Sequence, residues 1–274
     1  VHAGCDILVR TSGRLYDLAM TGILRLKSVK KLVVDECDEM LNLGFRPQLQ
    51  RIFDLLPEKR QNLLFSATMS DDVEEIVNTF FGVSENVIAA PSGTPLENIH
   101  QTAYRAENFN TKYNLLKHII AENDDMRAFI FVQSKRFADI LQKRLEEDFP
   151  EQFGVIHSNK SQNFRMRMVQ EFKSNQFKGI VATDLVSRGI DIDNVTHVIN
   201  FDLPSEKEQY IHRIGRTGRA EQKGQSISFI TSKEEGLFIG IQSFMNTSIE
   251  LLLTPDDVEI SERLIIEEEE PDIH

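Results

Sequence analysis

The sequence predicts an α/β protein with two parallel-sheet domains, and three observations support this fold class. Short apolar runs rich in β-branched residues alternate with longer helical stretches, which is typical of parallel strands joined by helices. A segment of proline, glycine and small polar residues, 91–98, interrupts the series and indicates an interdomain linker. With 274 residues, 41% of them hydrophobic and 27% charged, the chain is long enough to bury two cores.

The elements expected before the linker, in residues 1–90, alternate between strand and helix. Strands are expected near residues 6–9, 31–34 and 62–65. Helices are expected near residues 13–26, 45–55 and 71–80. This part is therefore predicted to be one α/β domain that opens on an interior strand.

A second alternating series follows the linker and predicts a second domain over residues 99–245. Strands are expected near residues 128–132, 153–156, 179–182, 196–200 and 225–230. Helices are expected near residues 111–122, 135–148, 161–174, 205–213 and 233–245. The remaining residues, 246–274, are predicted to form an acidic C-terminal tail.

The net charge of −12 is concentrated at the C-terminus. Residues 246–274 contain 1 basic and 10 acidic residues, whereas residues 99–245 contain 20 basic and 19 acidic residues. Long-range attraction to a polyanion is therefore weak, and nucleic-acid binding would depend on a local groove. The run Glu267–Glu270 is expected to be a solvated, disordered end, with competition for a basic groove as the alternative. The sequence does not decide whether Leu251–Leu253 and Leu264–Ile266 pack on the second domain or dock a partner.

The cysteines and the hydropathy limit the class of protein. Cys5 and Cys37 lie in predicted strands or at strand ends, so a disulfide framework is not expected. The expected environment is a reducing compartment. We accordingly expect a cytoplasmic protein, or a nuclear one in a eukaryote. No apolar stretch is long enough for a membrane span, and the seven histidines lack zinc-ligand spacing.

An arginine-rich segment, His212–Arg219, indicates phosphate binding. Its three arginines stand three residues apart among Gly215 and Gly218, where the backbone can approach an anion closely. A guanidinium is always charged and matches phosphate oxygens bidentately. A solvated basic helix is the alternative, although it explains neither the glycines nor the histidine.

An acidic cluster, Asp35–Asp38, follows the apolar run Lys31–Val34. Parallel strands deliver such side chains to the carboxyl edge of the sheet, where ligands bind in open α/β folds. Asp35 is the candidate for holding Mg²⁺ through water, and Glu36 for orienting or deprotonating an attacking water. The alternative is that these carboxylates only begin a helix.

The order of these and further motifs resembles the DEAD-box family of ATP-dependent RNA helicases, of superfamily 2, over nearly the whole chain. The matching segments, given with the family's motif names, are Thr11–Leu15 (Ib), Asp35–Asp38 (II), Ser66–Thr68 (III), Phe131–Lys135 (IV), Gln162 with Arg165 (Gln-x-x-Arg), Ala182–Asp191 (V) and His212–Arg219 (VI). Seven elements in the family's order do not arise from composition. The resemblance implies two RecA-like domains, the first truncated at its N-terminus and the second whole.

The resemblance also implies ATP and Mg²⁺ as ligands and assigns roles to individual residues. Arg216 and Arg219 would act as arginine fingers on the γ-phosphate, and Asp35 and Glu36 would be catalytic. The residues implied in ATP binding and in coupling it to domain closure are Asp38, Ser66, Thr68, Asp191 and His212. Taken alone, Ser66–Thr68 after an apolar strand is equally typical of a helix cap.

RNA is the implied partner, and contacts to its backbone are expected. The residues implied are Thr11, Gly13 and Arg14 in the first domain and Gln162, Arg165, Thr183 and Gly189 in the second. Tryptophan is absent and only four tyrosines occur, so no aromatic platform for stacking bases is evident. A monomer that opens short duplexes locally is the expected form.

The chain departs from the family pattern at its start. The family's phosphate-binding loop, G-x-x-x-x-G-K-[ST], does not occur in these residues. We therefore expect a fragment of an ATP-dependent RNA helicase, because the loop's amides and lysine hold the phosphates. The alternative is a non-catalytic RNA-binding or regulatory fragment; a DNA translocase of the same superfamily is a third reading.

Overall fold

A computed structural model describes residues 5–88, 98–184, 192, 194–218 and 223–269 of the chain. The chain forms two compact units that divide between Ser92 and Gly93. Both contain parallel strands joined by helices, so the predicted α/β class is confirmed. None of the helices in the described ranges is both long and apolar enough to cross a membrane.

The first unit has two described parallel strands, paired so that Val34 lies beside Leu64. The strands are β1 (Lys31–Val34) and β2 (Gln61–Leu64). The helices are α1 (Ser12–Met20), α2 (Cys37–Asn42), α3 (Arg46–Leu55) and α4 (Asp71–Phe80). Its main core contains Val34, Cys37, Leu49, Phe53, Val73 and Ile76.

Two expectations for the first unit are wrong. Residues 6–9 form no strand: Ile7 is 84% and Val9 78% exposed, and no strand among the described residues pairs with them. The helix expected to reach residue 26 ends at Met20, because Gly22 adopts a φ of +73°, a left-handed conformation that stops a helix.

The second unit contains, within its described residues, a seven-stranded parallel sheet in the order β5-β6-β4-β7-β8-β3-β9. The strands are β3 (Ile99–Arg105), β4 (Ala128–Phe131), β5 (Phe153–Ile156), β6 (Gly179–Ala182), β7 (His197–Asn200), β8 (Gly224–Ile230) and β9 (Glu250–Leu252). The helices are α5 (Phe109–Glu122), α6 (Lys135–Asp148), α7 (Gln162–Lys173), α8 (Lys207–Ile214), α9 (Glu235–Met245) and α10 (Ile266–Glu269). A 3-10 turn at Ser232–Glu234 precedes α9.

Helices cover both faces of this sheet. Strands β4, β5, β6 and β7 are buried along their whole length, as expected for central parallel strands. One face packs on α5 and α6 through Phe109, Leu116 and Leu141. Strands β5, β6 and β4 are parallel neighbours, so their carboxyl ends meet at one edge of the sheet.

Residues 246–269 of the predicted acidic tail pack on the second unit, which was one of the two alternatives that the sequence left open. Strand β9 pairs with β3, so Leu252 extends the sheet. Beyond it, Val258 and Ile265 are buried in the core formed with α5 and α6. We call residues 253–269 the C-terminal strap. It belongs to the second unit because its apolar side chains complete that core.

Candidate functional site

The acidic cluster lies where the sequence places it, directly after β1. Phe65 N donates to Val34 O at 2.8 Å, and Cys37 N donates to Phe65 O at 3.1 Å, which holds the cluster beside the end of β2. Asp35 is exposed, and its Oδ1 accepts a hydrogen bond from Glu36 N at 3.0 Å. No group of three potential metal ligands occurs among the described residues. An exposed single carboxylate fits Mg²⁺ held through water, since this ion uses few protein ligands.

Glu36 has a strained backbone. Its φ of 51° and ψ of 49° are left-handed, a region that non-glycine residues seldom adopt. Glu36 is the N-cap residue of α2, but its side chain makes no capping hydrogen bond. The cluster does begin a helix, as the alternative reading held, yet the Glu36 carboxylate is not used for that purpose. Backbone strain of this kind is concentrated at functional sites.

Asp38 joins the cluster to the Ser66–Thr68 segment. Its Oδ2 accepts hydrogen bonds from Thr68 N and Thr68 Oγ1, both at 2.9 Å. Ser66 Oγ accepts from Asp38 N at 3.2 Å and donates to Thr68 O at 2.7 Å. Helix α4 is capped instead by Ser70, which accepts from Val73 N. The helix-cap reading of Ser66 and Thr68 is therefore wrong.

Cys37 is fully buried between these residues. Burial, and secondarily the charge of Asp38, raise the pKa of its thiol to about 11. Because the thiolate is the nucleophile, Cys37 is unreactive at neutral pH.

The chain carries its own control for this conclusion, since Cys5 is exposed. We expect iodoacetamide at pH 7.5 to alkylate Cys5 and to leave Cys37 unmodified until the first unit unfolds. Mass spectrometry of the alkylated peptides measures this directly. Equal modification of both cysteines in the folded protein would contradict this expectation. Cys37→Ala is expected to be nearly neutral for activity.

The arginine segment of the second unit has two structural roles that the sequence did not indicate. The first concerns Arg213, in the last turn of α8, which is 2% exposed. Its guanidinium donates to both carboxylate oxygens of Asp184, at 2.6 and 2.8 Å. It also donates to Asn200 Oδ1 at 3.2 Å and to Asp202 O at 2.6 Å. Arg213 is thus occupied in anchoring α8 and is not available for phosphate.

The second role concerns Gly218. Its φ is +66°, and a Cβ atom there would lie 2.5 Å from Ile99 Cγ1. This position therefore requires glycine because of packing and backbone conformation, and not because an anion must approach the backbone there. Arg216 and His212 are half-buried at the end of α8. Arg219, Asp191 and Gly189 lie outside the described residues.

Gly218→Ala is expected to lower the free energy of unfolding of the second unit by about 2–3 kcal/mol, from strain and overpacking. Gly240→Ala is the matched control: it lies within α9, where nothing stands within 4 Å of an added Cβ. That change should stabilise the unit by about 1 kcal/mol through helix propensity. Urea unfolding of the two variants tests this, and a stable Gly218→Ala protein would contradict the packing argument.

The candidate RNA contacts fall at two places. Thr11 precedes α1, and it, Gly13 and Arg14 lie at the start of that helix, where backbone amides favour an anion. In the second unit, Gln162 and Arg165 begin α7 after β5, and Thr183 follows β6. At the second place, Arg165 Nε is buried and has no hydrogen-bond partner among the described residues.

A buried charge cluster was missed by sequence reasoning. Lys112 on α5 is 4% exposed, and its Nζ lies 2.9 Å from Asp202 Oδ1 and 3.7 Å from Glu234 Oε2. Asp202 Oδ2 also accepts from Gln133 N at 3.0 Å. The local sequence gives little signal for this burial, because Lys112 stands among Asn110, Thr111 and Asn114. This cluster links α5 to the strand ends that hold Arg213.

Two family models match the chain. The model described as "DEAD/DEAH box helicase" matches residues 1–76, and "Helicase conserved C-terminal domain" matches residues 111–221. The first range contains the acidic cluster with Ser66 and Thr68. The second contains the described part of the arginine segment.

Curated relatives are similar over nearly the whole chain. The ATP-dependent RNA helicase DbpA of Bacillus subtilis is 36% identical over 257 residues, which cover 94% of this chain and 53% of that protein. The ATP-dependent RNA helicase eIF4A of Kluyveromyces lactis is 37% identical over 254 residues, covering 92% and 63%. The chain therefore spans between about half and two thirds of the length of these relatives.

Solved structures agree with these relatives. The structure of S. cerevisiae Dbp5 bound to RNA and ADP BeF3 has a TM-score of 0.81 at 29% identity, covering 90% of this chain and 65% of that one. Mss116p bound to ssRNA and AMP-PNP has a TM-score of 0.76 at 30% identity, covering 90% and 53%. E. coli SrmB, bound to RraA, has a TM-score of 0.55 at 30% identity, covering 61% and 97%.

Proposed function

This chain belongs to the DEAD/DEAH-box helicase family, and from that premise we propose that it is part of an ATP-dependent RNA helicase. The observation that carries the proposal is the hydrogen-bonded cluster formed by Asp38, Ser66 and Thr68 beside the strained Glu36. A protein that only bound RNA would assign no task to the Glu36 carboxylate, which makes no capping hydrogen bond.

In the proposed reaction, each residue of the cluster has one task. Asp35 holds the water shell of Mg²⁺, and the ion, when bound, neutralises charge on the phosphate oxygens. Glu36 orients and deprotonates the attacking water, the remaining task in phosphoryl transfer to water. Asp38 keeps Ser66 and Thr68 beside the site, so that a change at the nucleotide reaches that segment.

The second unit contributes cations and RNA contacts in this proposal. Arg216 and Arg219 are proposed arginine fingers that stabilise charge on the transferred phosphate. Arg213 supports them by anchoring α8 through Asp184. The RNA-bound structures of Dbp5 and Mss116p support RNA as the partner. In this proposal the chain holds RNA mainly by its phosphates and riboses.

ATP hydrolysis, measured with and without single-stranded RNA, tests the proposal. The proteins to compare are this chain, an upstream-extended version that carries a G-x-x-x-x-G-K-[ST] loop, and Glu36→Gln in the extended version. We expect turnover only from the extended version, dependence on RNA, and a loss of at least about 100-fold in kcat with Glu36→Gln. Glu74→Gln, an exposed change on α4 of the same unit, is the control and should leave kcat unchanged.

A second candidate function is a non-catalytic RNA-binding or regulatory fragment. It is favoured by one observation, the absence of the phosphate-binding loop pattern from these residues. RNA binding without turnover in both the short and the extended versions would support it. Hydrolysis by the short chain would contradict the argument that the loop is needed.

A further inference from the structure

The C-terminal strap lies along α5 and is held there largely by polar contacts. Side-chain amides on α5 and at its N-cap donate to backbone carbonyls of the strap. These bonds run from Asn108 to Ser261 O at 2.5 Å, from Asn110 to Arg263 O at 2.7 Å and from Asn114 to Glu259 O at 3.0 Å. Thr111 Oγ1 also accepts from Ser261 N at 3.0 Å. The strap is therefore a specifically seated segment.

Few apolar side chains anchor the strap. Val258 and Ile265 are buried, while Leu253, Ile260, Leu264 and Ile266 are exposed. Segments with few buried apolar contacts and with hydrogen bonds near the surface open locally at a lower free energy than the core. The strap is thus suited to leave α5 without unfolding the sheet.

The acidic end of the strap lies against cationic and helix-start positions. Glu267 Oε1 accepts a hydrogen bond from Arg136 Nε at 3.1 Å and lies 3.1 Å from Nη2 of the same guanidinium, in the first turn of α6. Glu268 Oε1 accepts from Phe109 N at 2.6 Å in the first turn of α5. Helix starts favour anions, so two carboxylates of the strap occupy positions that suit phosphate oxygens.

Arg136 lies at the same edge of the sheet as the proposed RNA contacts. Its neighbour Lys135 reaches across to Asn159, with Nζ 3.2 Å from Asn159 Oδ1. Asn159 belongs to the loop after β5 that leads to Gln162 and Arg165. Strands β5, β6 and β4 are neighbours and parallel, so the residues following them share this edge.

We propose that the acidic end of the strap is an internal competitor for RNA phosphate at this edge. Glu267 holds Arg136 in the absence of RNA, and a phosphate of the bound strand replaces Glu267 on that guanidinium. This inference rests on the proposed RNA binding and adds a regulatory contact to it. The exchange conserves the charge paired with Arg136, so the acidic end of the strap tunes RNA affinity.

Glu267→Gln in the full chain tests the inference, with binding of a fluorescein-labelled single-stranded RNA as the readout. We expect Kd to fall about two- to fivefold at low salt, with the gain fading as salt screens the contact. Glu262→Gln is the matched control, because it removes the same charge from an exposed strap position, whereas Arg136 pairs with Glu267. It should leave Kd unchanged.

A double-mutant cycle completes the test. In an Arg136→Gln background, Glu267→Gln should no longer change Kd, because the cation that it releases is gone. Equal gains from Glu267→Gln and Glu262→Gln, or no gain from either while RNA is bound, would overturn this inference alone. If no version of the chain binds RNA, the proposed function fails and the inference fails with it.

Discussion

Arg213→Met is expected to lower the free energy of unfolding of the second unit by about 3–5 kcal/mol, because it leaves a half-buried carboxylate and two buried oxygen acceptors without their cation. Both carboxylate oxygens of Asp184, Asn200 Oδ1 and Asp202 O lose a donor at once. Methionine fills similar volume, so the loss is electrostatic rather than a cavity. Hydrogen exchange of peptides from residues 99–245, followed by mass spectrometry, measures the change within that unit.

Two comparisons separate this effect from a general cost of changing an arginine. Arg213→Lys keeps the charge but not the planar fork, so it should destabilise less than methionine and still measurably. Arg167→Met is the exposed control on α7, where the partner Glu171 lies 3.7 Å away. Exposed pairs contribute about 0–1 kcal/mol. Equal effects of the changes at positions 213 and 167 would show that the buried network does not stabilise α8.

Lys112→Met is the second change for which we expect a large effect, again about 3–5 kcal/mol of lost stability. Burial opposes the charge of Lys112, but Asp202 and Glu234 overcome that cost and hold the pKa of the ammonium above its usual value. Removing Lys112 leaves the Asp202 carboxylate buried with Gln133 N as a remaining donor. The free energy of unfolding from urea titration is the measurement.

The stabilisation by Lys112 also depends on pH in a defined direction. A group whose pKa is raised in the folded state stabilises the fold fully below its unfolded pKa, which is about 10.4 for lysine. That contribution is lost as the pH rises through the folded-state pKa. Lys112→Met should therefore weaken the dependence of stability on pH in the alkaline range. Near neutral pH, the slope of stability against pH should stay almost the same.

A variant on the same helix and a double variant provide the controls. Lys117→Met removes a lysine that is 39% exposed and pairs with Asp148 at 3.3 Å, so it should cost less than about 1 kcal/mol. Lys112→Met combined with Asp202→Asn should recover part of the lost stability, because the uncompensated buried charge is removed. If the double variant is no more stable than Lys112→Met alone, the cluster does not act through charge.

The sequence predicted those parts of the structure that depend on local pattern. Strands β4, β5 and β6 were predicted within one residue at each end, because four consecutive buried residues in a parallel strand give an unbroken apolar run. The strand expected at residues 6–9 was wrong, since an apolar pattern shows that residues can pair but not that a neighbouring strand is present. Strand β9 was missed because three residues carry too little pattern.

The candidate site divides in the same way. The order of motifs indicated the family and the candidates Asp35, Glu36, Ser66 and Thr68, because each motif is a short run of neighbouring residues in the chain. The role of Arg213 could not be predicted, since its partners Asp184 and Asn200 meet it only when three separate segments are brought together. Likewise, the requirement for glycine at position 218 comes from Ile99, 119 residues away along the chain.

The sequence by itself determined that this is an α/β chain of the DEAD/DEAH-box family with an acidic C-terminus. Only the tertiary structure decided that the C-terminus is a strap on α5, that Lys112 is buried among carboxylates, and that one arginine of the segment anchors α8. The physical reason is that apolar periodicity and motif spacing are local properties. Burial, charge pairing and side-chain packing depend instead on residues far apart in sequence, and these acquire their partners only when the chain is folded.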